Sequence, residues 1–399
     1  MYRTAAKYGC FWQLKGNTLT ATLFGLPHKY SLSKYENQTI PIQSMYQRNM
    51  KKISKLLVGI LFSALVIAPS YAGEMTVTGG ATATYTTNGD DASAGKNLGI
   101  SNELDFTASG ELDNGYTWKY QVQLDDATTA NDDTRLEIGG DFGKIGIYAS
   151  EGGLSSELGY GIGALGVGND YNKLSSGADW EGLDVSDYGN IQYHTPKDLI
   201  PFGTTVKLGI APNTNTSSKG LSAKGSGTVG DYADGKRLEQ IYIQSKPIDG
   251  LTITGDVART AGAVGGTYQA DDGVSANISA KYTLGQFSIG YGEGGYQDPT
   301  TTGFTTVYEK DYVGIQFDVN DALSVSYAVE DLEKRTRSAM AAGDKTTNKT
   351  TVVNELQSVQ LAYTTGGMTL GLAQIEEDNA DFTAGRKATN TIASVAIAF

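Results

Sequence analysis

Charged residues recurring at every second position are the part of this sequence best suited to act on other molecules. In Thr117-Trp-Lys119-Tyr-Gln121-Val-Gln123-Leu, Lys119 shares a face with two glutamines, because side chains of an extended chain alternate between faces. The same parity puts Arg135, Lys144 and Lys207 on a polar face, together with the acids Glu103, Asp105 and Glu137. Farther along, residues 151–187 hold seven acids (Glu151, Glu157, Asp170, Asp179, Glu181, Asp184 and Asp187) and one base, Lys173. Acids on a loop facing bases on a wall create a transverse field, which sorts solutes by charge without reacting with them. Bond-making chemistry has fewer candidates. After residue 72 the only histidine is His194, in Tyr193-His194-Thr195-Pro196. It has neither a Gly-x-Ser-x-Gly nor a His-Glu-x-x-His pattern beside it, so a hydrolase is not expected.

The elements that must position these charges are strands. Apolar/polar alternation recurs from Met75 to Phe399, interrupted in turn by short and long connections. Met75, Val77, Ala81, Ala83 and Tyr85 alternate with threonines, and Tyr116, Trp118, Tyr120, Val122 and Leu124 alternate with the polar face carrying Lys119. Tight turns are expected at Asp113-Asn-Gly115, Asp141-Phe-Gly143, Pro196–Phe202, Pro247–Gly250, Leu284–Gln286, Asn320-Asp321 and Thr365–Gly367. Long polar connections fall near 87–99, 125–132, 151–187, 213–236, 260–274, 297–306, 334–354 and 377–389. Seven turns and eight loops join about sixteen strands. The apolar face carries aromatics beside the turns (Tyr282, Phe287, Phe317), while the other face is too polar for a sandwich core. The spacing therefore predicts an all-β fold, a transmembrane antiparallel barrel closed so that every backbone group is paired in lipid. Nothing in the sequence is apolar enough over enough residues for a membrane helix.

The segment before the barrel reads as an export signal. Met50-Lys-Lys-Ile-Ser-Lys55 is a basic start, Leu56–Ala68 is apolar, and Ser70 and Ala72 supply the small residues of a cleavage site before Gly73. That apolar stretch rises only about 20 Å as a helix, short of a ~30 Å hydrocarbon core. Residues 1–49, with Cys10 and His28, are read as an upstream extension, 50–72 as the cleaved signal and 73–399 as the barrel. Residues 1–72 hold 9 of the 31 Lys/Arg and 1 of the 44 acids, so the rest carries 22 bases against 43 acids. Nucleic acid is excluded as a partner by that balance. No cysteine follows residue 72, and Asp125-Asp126 and Asp132-Asp133 lack the spacing of a calcium loop. No metal or cofactor is expected.

Several stretches resemble the general diffusion porins of Gram-negative outer membranes. They are Asn102-Glu-Leu-Asp-Phe-Thr-Ala-Ser-Gly-Glu-Leu-Asp-Asn-Gly115, Ile138-Gly-Gly-Asp-Phe-Gly-Lys-Ile-Gly146, Gly189-Asn-Ile-Gln-Tyr-His-Thr-Pro196 and the terminal Phe399. The resemblance implies a homotrimer in the outer membrane that passes ions and small hydrophilic solutes passively. It also implies a third loop folded into the lumen, and a terminal aromatic read by the barrel-assembly machinery. The loop candidates for the constriction are Glu157, Asp170, Asp179, Glu181, Asp184 and Asp187. Those for the wall are Lys119, Arg135, Lys144, Lys207, Glu103, Asp105 and Glu137. The acid excess predicts cation preference. A substrate-selective channel is the alternative, and a sugar guide would need a file of lumen aromatics, for which Tyr148, Tyr242 and Tyr312 have inward parity. An adhesin barrel is a more distant one.

Overall fold

The computed structural model describes residues 9–15, 18–24, 73–90, 95–125, 133–149, 151–156, 182–214, 237–260, 272–297, 304–339 and 345–399. The chain divides into two units, residues 1–67 and 68–399. Of the first, the described part is an antiparallel hairpin of β1 (Gly9–Lys15) and β2 (Thr18–Phe24). The signal segment 50–72 lies outside the described residues.

The second unit is a closed barrel of sixteen antiparallel strands. Its first eight are β3 (Glu74–Asp90), β4 (Gly95–Glu111), β5 (Thr117–Asp125), β6 (Thr134–Gly140), β7 (Gly143–Ala149), β8 (Asn190–His194), β9 (Thr205–Ala211) and β10 (Leu238–Ser245). The rest are β11 (Leu251–Thr260), β12 (Gly273–Leu284), β13 (Phe287–Gln297), β14 (Phe304–Asp318), β15 (Leu323–Ala339), β16 (Lys345–Thr365), β17 (Met368–Asp378) and β18 (Lys387–Ala398). Each strand pairs with its sequence neighbours, and β18 closes on β3, where Ile397 faces Ala81 and Val395 faces Ala83. Closure leaves no strand edge open, which is what lets strands lie in lipid.

All seven tight turns lie at one end. At one of them the chain needs glycine: Gly143 has φ 101°, and a Cβ there would run into the His194 carbonyl. Two of the long connections are shorter than alternation suggested. β3 and β4 run to Asp90 and from Gly95, and β15 and β16 run to Ala339 and from Lys345. Threonine, asparagine and lysine fill those stretches and read as loop. Paired strands projecting beyond a membrane need no apolar face, so the alternation fades before the ladder does.

Parity separates an exposed face from a buried one, and the buried face also holds Leu332, Leu356, Ile375 and Ile392. Phe287, Ile289 and Tyr291 on β13, Val313, Ile315 and Phe317 on β14, and Val359, Leu361 and Tyr363 on β16 are large, apolar and exposed. The rings of Phe287 and Phe317 meet at 4.7 Å beside their turns. Farther from the turns the outward positions become acidic, with Glu293, Asp311, Asp331 and Glu355 in register across four strands. The inward positions carry Gln121, Gln123, Asn190, Gln192, Gln240, Asp256, Ser275 and Asn277, all buried. An apolar exterior around a polar interior inverts a soluble protein and suits a membrane barrel.

Candidate functional site: the lumen wall and the third connection

The polar residues of β4 to β7 form two bonded groups on the inner wall. Gln121 donates to Asp105 at 2.6 Å, and the Arg135 guanidinium donates to Gln121 at 2.9 Å. Arg135 also pairs with Glu151 at 3.3 Å, joining the wall to the first residues of the third connection. One strand over, Lys144 donates to Glu137 at 2.8 Å, and the buried Tyr148 hydroxyl donates to the same carboxylate oxygen at 2.8 Å. Lys207 on β9 sits over the Tyr242 ring, 4.9 Å from its centroid. Lys119 is half-buried on β5, with Ser109 and Glu137 as its cross-strand neighbours. Glu103 is exposed on β4 opposite Asp125. The four bases thus lie on β5 to β9 of the lumen wall, with Asp105, Glu137 and Glu151 interleaved among them. A cleft of about 920 Å³ at the turn end is lined by Lys119, Glu137 and Lys144.

The described ends of the third connection rest on the inner wall over β9 to β12. Ser156 donates its backbone N–H at 2.7 Å and its hydroxyl at 2.8 Å to the Asp256 carboxylate on β11. Asn277 of β12 donates to that carboxylate as well, at 3.1 Å. From the far end, the Leu183 N–H reaches the Ser275 hydroxyl at 3.1 Å and the Val185 N–H reaches the Gln240 amide oxygen at 2.9 Å. Leu154, Leu183 and Val185 pack on Ala211, Leu238 and Ala258, and Leu154 is only 1% exposed. Burying one leucine side chain contributes about 1.5–3 kcal/mol. Wall glycine Gly209 makes this possible, since a Cβ there would come within 2.8 Å of Leu154 Cδ1.

Asp184 ties the two ends to each other. Its carboxylate accepts from Leu154 N–H at 2.9 Å, Ser155 N–H at 2.5 Å and Ser186 N–H at 2.9 Å, the last capping a 3₁₀ turn over Val185–Asp187. Asn190 adds bonds from its amide to the carbonyls of Glu151 at 3.1 Å and Val185 at 3.0 Å. Asp187 is exposed, and beside it burial raises the Tyr188 phenol above its ordinary value, with Asp187's charge adding to the rise. Of the loop candidates, Asp184 and Asp187 are thereby placed, whereas Glu157, Asp170, Asp179 and Glu181 lie outside the described residues. So do Lys173, Asp126 and Asp132.

Among the aromatics with inward parity, Tyr148 and Tyr312 are almost wholly buried, which leaves little ring face for a passing sugar. His194 bonds Gln192 at 2.8 Å and stacks on Tyr148 with ring centroids 6.3 Å apart. These partners are an amide and a ring, not the acid and nucleophile that acyl-transfer chemistry needs. Sequence reasoning missed Asp256, Gln240, Ser275 and Asn277, the wall groups that receive the loop. Their inward parity was legible, but a neutral amide or serine on a wet face carries no sign of what it will bond. Phe399 is joined to β3 by two bonds, from Gly79 N–H to its carbonyl at 2.8 Å and from its own N–H to the Gly79 carbonyl at 2.9 Å, and its ring faces outward.

No family model matches this chain, and no curated protein matches it either. Solved structures do. A loop L8 deletion mutant of OmpT, an outer membrane protein of Vibrio cholerae, superposes with TM-score 0.59 at 14% identity, over 82% of this chain and 100% of that one. The trimer form of in-vitro folded OmpT gives 0.56 at 12%, with coverage of 82% and 100%. An anion-selective porin from Comamonas acidovorans gives 0.57 at 16% identity, again over 82% and 100%.

Proposed function

We propose, taking the porin fold as premise, that residues 73–399 form an outer-membrane channel for passive diffusion of ions and small hydrophilic solutes. The observation that carries this reading is the inverted barrel, apolar outside and lined with Gln, Asn, Ser, Lys and Asp inside, with both described ends of the third connection bonded to its inner wall. A polar, hydrated path with fixed charges is what conduction requires. In this reading residues 50–72 direct export and are removed, and the third connection narrows the lumen. Bases of β5 to β9 then face its acids across the constriction. The channel prefers cations because residues 151–187, placed in the lumen by this reading, hold seven acids against one base. Assembly is as a homotrimer in outer-membrane lipid, by analogy with the trimer form of OmpT. The barrel-assembly machinery reads the strand ending at Phe399. No catalytic step is assigned.

The test is planar-bilayer recording of the purified mature protein. Stepwise currents with a zero-current potential of cationic sign in a salt gradient are expected, and His194→Ala should leave the step size nearly unchanged. Absence of steps from protein that migrates as a folded, heat-modifiable barrel would overturn the channel reading.

A further inference from the structure

The long-loop end of the barrel carries a second group of inward residues that the charge network does not use. Tyr296 on β13 and Tyr308 on β14 are cross-strand partners with nearly parallel rings, centroids 6.1 Å apart and planes 11° apart. Tyr296 also packs against the cluster of Leu154 and Val185 at the ends of the third connection. On the other side of Tyr308, Phe382 tilts onto it at 6.3 Å. Phe382 belongs to the connection between β17 and β18, so it reaches Tyr308 across the mouths of β15 and β16. The Lys334 ammonium on β15 lies 5.5 Å from the centroids of both rings.

The backbone that presents Phe382 is held in an unfavourable conformation. Asn379, Asp381 and Phe382 have φ of 57°, 53° and 56°, a region that non-glycine residues and bulky ones above all avoid. Dedicated contacts keep it there. Asn379 donates to the Val353 carbonyl at 2.9 Å and accepts from Gly385 N–H at 3.0 Å, and the Arg386 guanidinium pairs with Asp381. Strain retained in this way concentrates where a side chain must be aimed. Here the aimed group is an aromatic ring, and it points at another ring and a cation.

From this arrangement we infer a solute-binding station at the long-loop mouth, formed by Tyr296, Tyr308, Phe382 and Lys334, for small ring-bearing carboxylates. The flat faces of the rings accept a planar apolar ring by offset stacking. Lys334 supplies the charge for the carboxylate. Among the described residues its contacts are the two rings, and an ammonium resting on ring faces can still turn toward an anion. Nearby acids are engaged elsewhere: Glu309 and Glu333 bond Arg335 at 2.9 and 2.8 Å, and Asp381 bonds Arg386. A cationic solute would meet Lys334 at the stack, and an aliphatic one would gain nothing from the rings. The inference rests on the channel reading only for its electrical readout.

The experiment adds benzoate to the long-loop side of single channels in a planar bilayer and measures current interruptions. Benzoate is expected to produce them, and acetate (carboxylate without ring) and maltotriose (sugar without charge) to produce none. Phe382→Leu keeps the apolar bulk and loses the ring, and should shorten benzoate dwell roughly two- to tenfold. Lys334→Gln should shorten benzoate dwell while leaving interruptions by benzyl alcohol as they were. Equal block by acetate, block by maltotriose alone, or unchanged dwell in both variants would each overturn the station. If the protein gives no current steps, the channel reading fails by itself, and binding is then read by saturation transfer from nanodisc-embedded barrel to benzoate protons. Transfer lost in Phe382→Leu supports the station, and transfer absent or unchanged refutes it.

Discussion

Replacing Asp256 by alanine should loosen the seating of the third connection on the wall while leaving the barrel closed. The Asp256 carboxylate is buried at 3% exposure and accepts from four groups: Ser156 N–H at 2.7 Å, the Ser156 hydroxyl at 2.8 Å, Asn277 at 3.1 Å and Gln240 at 3.3 Å. Hydrogen bonds to a charged group are worth about 1.5–3 kcal/mol each, and a donor left buried without a partner costs about 1–3 kcal/mol. Of these four bonds, the two from Ser156 hold the loop, and those from Asn277 and Gln240 stay within the wall. Water in the lumen can satisfy part of what is lost, so the loop's seating should weaken by about 2–4 kcal/mol rather than by the full sum. At 1.4 kcal/mol per tenfold, that is roughly a 30- to 700-fold change in the ratio of seated to unseated loop. Single-channel recording should show a larger mean step and added low-frequency current noise. Heat-modifiable migration should match the parent, because no ladder bond of β11 involves the side chain. Parental step size and noise in a folded D256A barrel would refute the inference that these bonds seat a constriction.

Other outcomes follow from neighbouring contacts. Gly209→Val places methyls where Leu154 and Val185 already sit, and overpacking of about 1–3 kcal/mol should raise conductance noise in the same way as D256A. Asp184→Ala removes the acceptor for three backbone N–H groups, so its main effect should be on step size and noise, with any change in ion selectivity secondary. Lys119→Gln combined with Lys207→Gln removes two lumen bases and should move the zero-current potential further toward cation permeability, most at low salt. Deleting Phe399 removes both backbone bonds to Gly79 and an exposed ring, and the yield of heat-modifiable barrel in membranes should fall.

Much of the barrel was legible because lipid and lumen impose opposite demands on alternate residues. Phe317, Ile315 and Val313 cannot exchange faces with Gln316 and Gly314 without a register slip that would bury polar groups in hydrocarbon. The turns were legible for a similarly local reason, as at Asp141-Phe-Gly143. The arms of β15 and β16 beyond the membrane were not legible, since with water on both sides nothing enforces alternation. Nor could sequence separate the acids by role. Asp184 and Asp187 lie three residues apart in the same acidic stretch, yet one caps backbone N–H groups while the other is exposed. Phe382 was invisible for the opposite reason: its importance comes from a left-handed backbone and a neighbour reached across β15 and β16, and neither leaves a periodic trace.

The seam between β3 and β18 has a consequence for how the chain reaches this state. Every other ladder joins neighbours in sequence and can zip from a hairpin, but pairing Gly80 with Ala398 needs the two extremes of the barrel together. Loop-closure entropy makes such a contact slow and late. Until it forms, β3 and β18 each present a row of unpaired N–H and C=O groups, which lipid will not tolerate and another chain could capture. Membrane entry and ring closure must therefore be coupled events. A destabilised seam would show itself as slow or misdirected assembly, well before it lowered the melting temperature of barrels already closed.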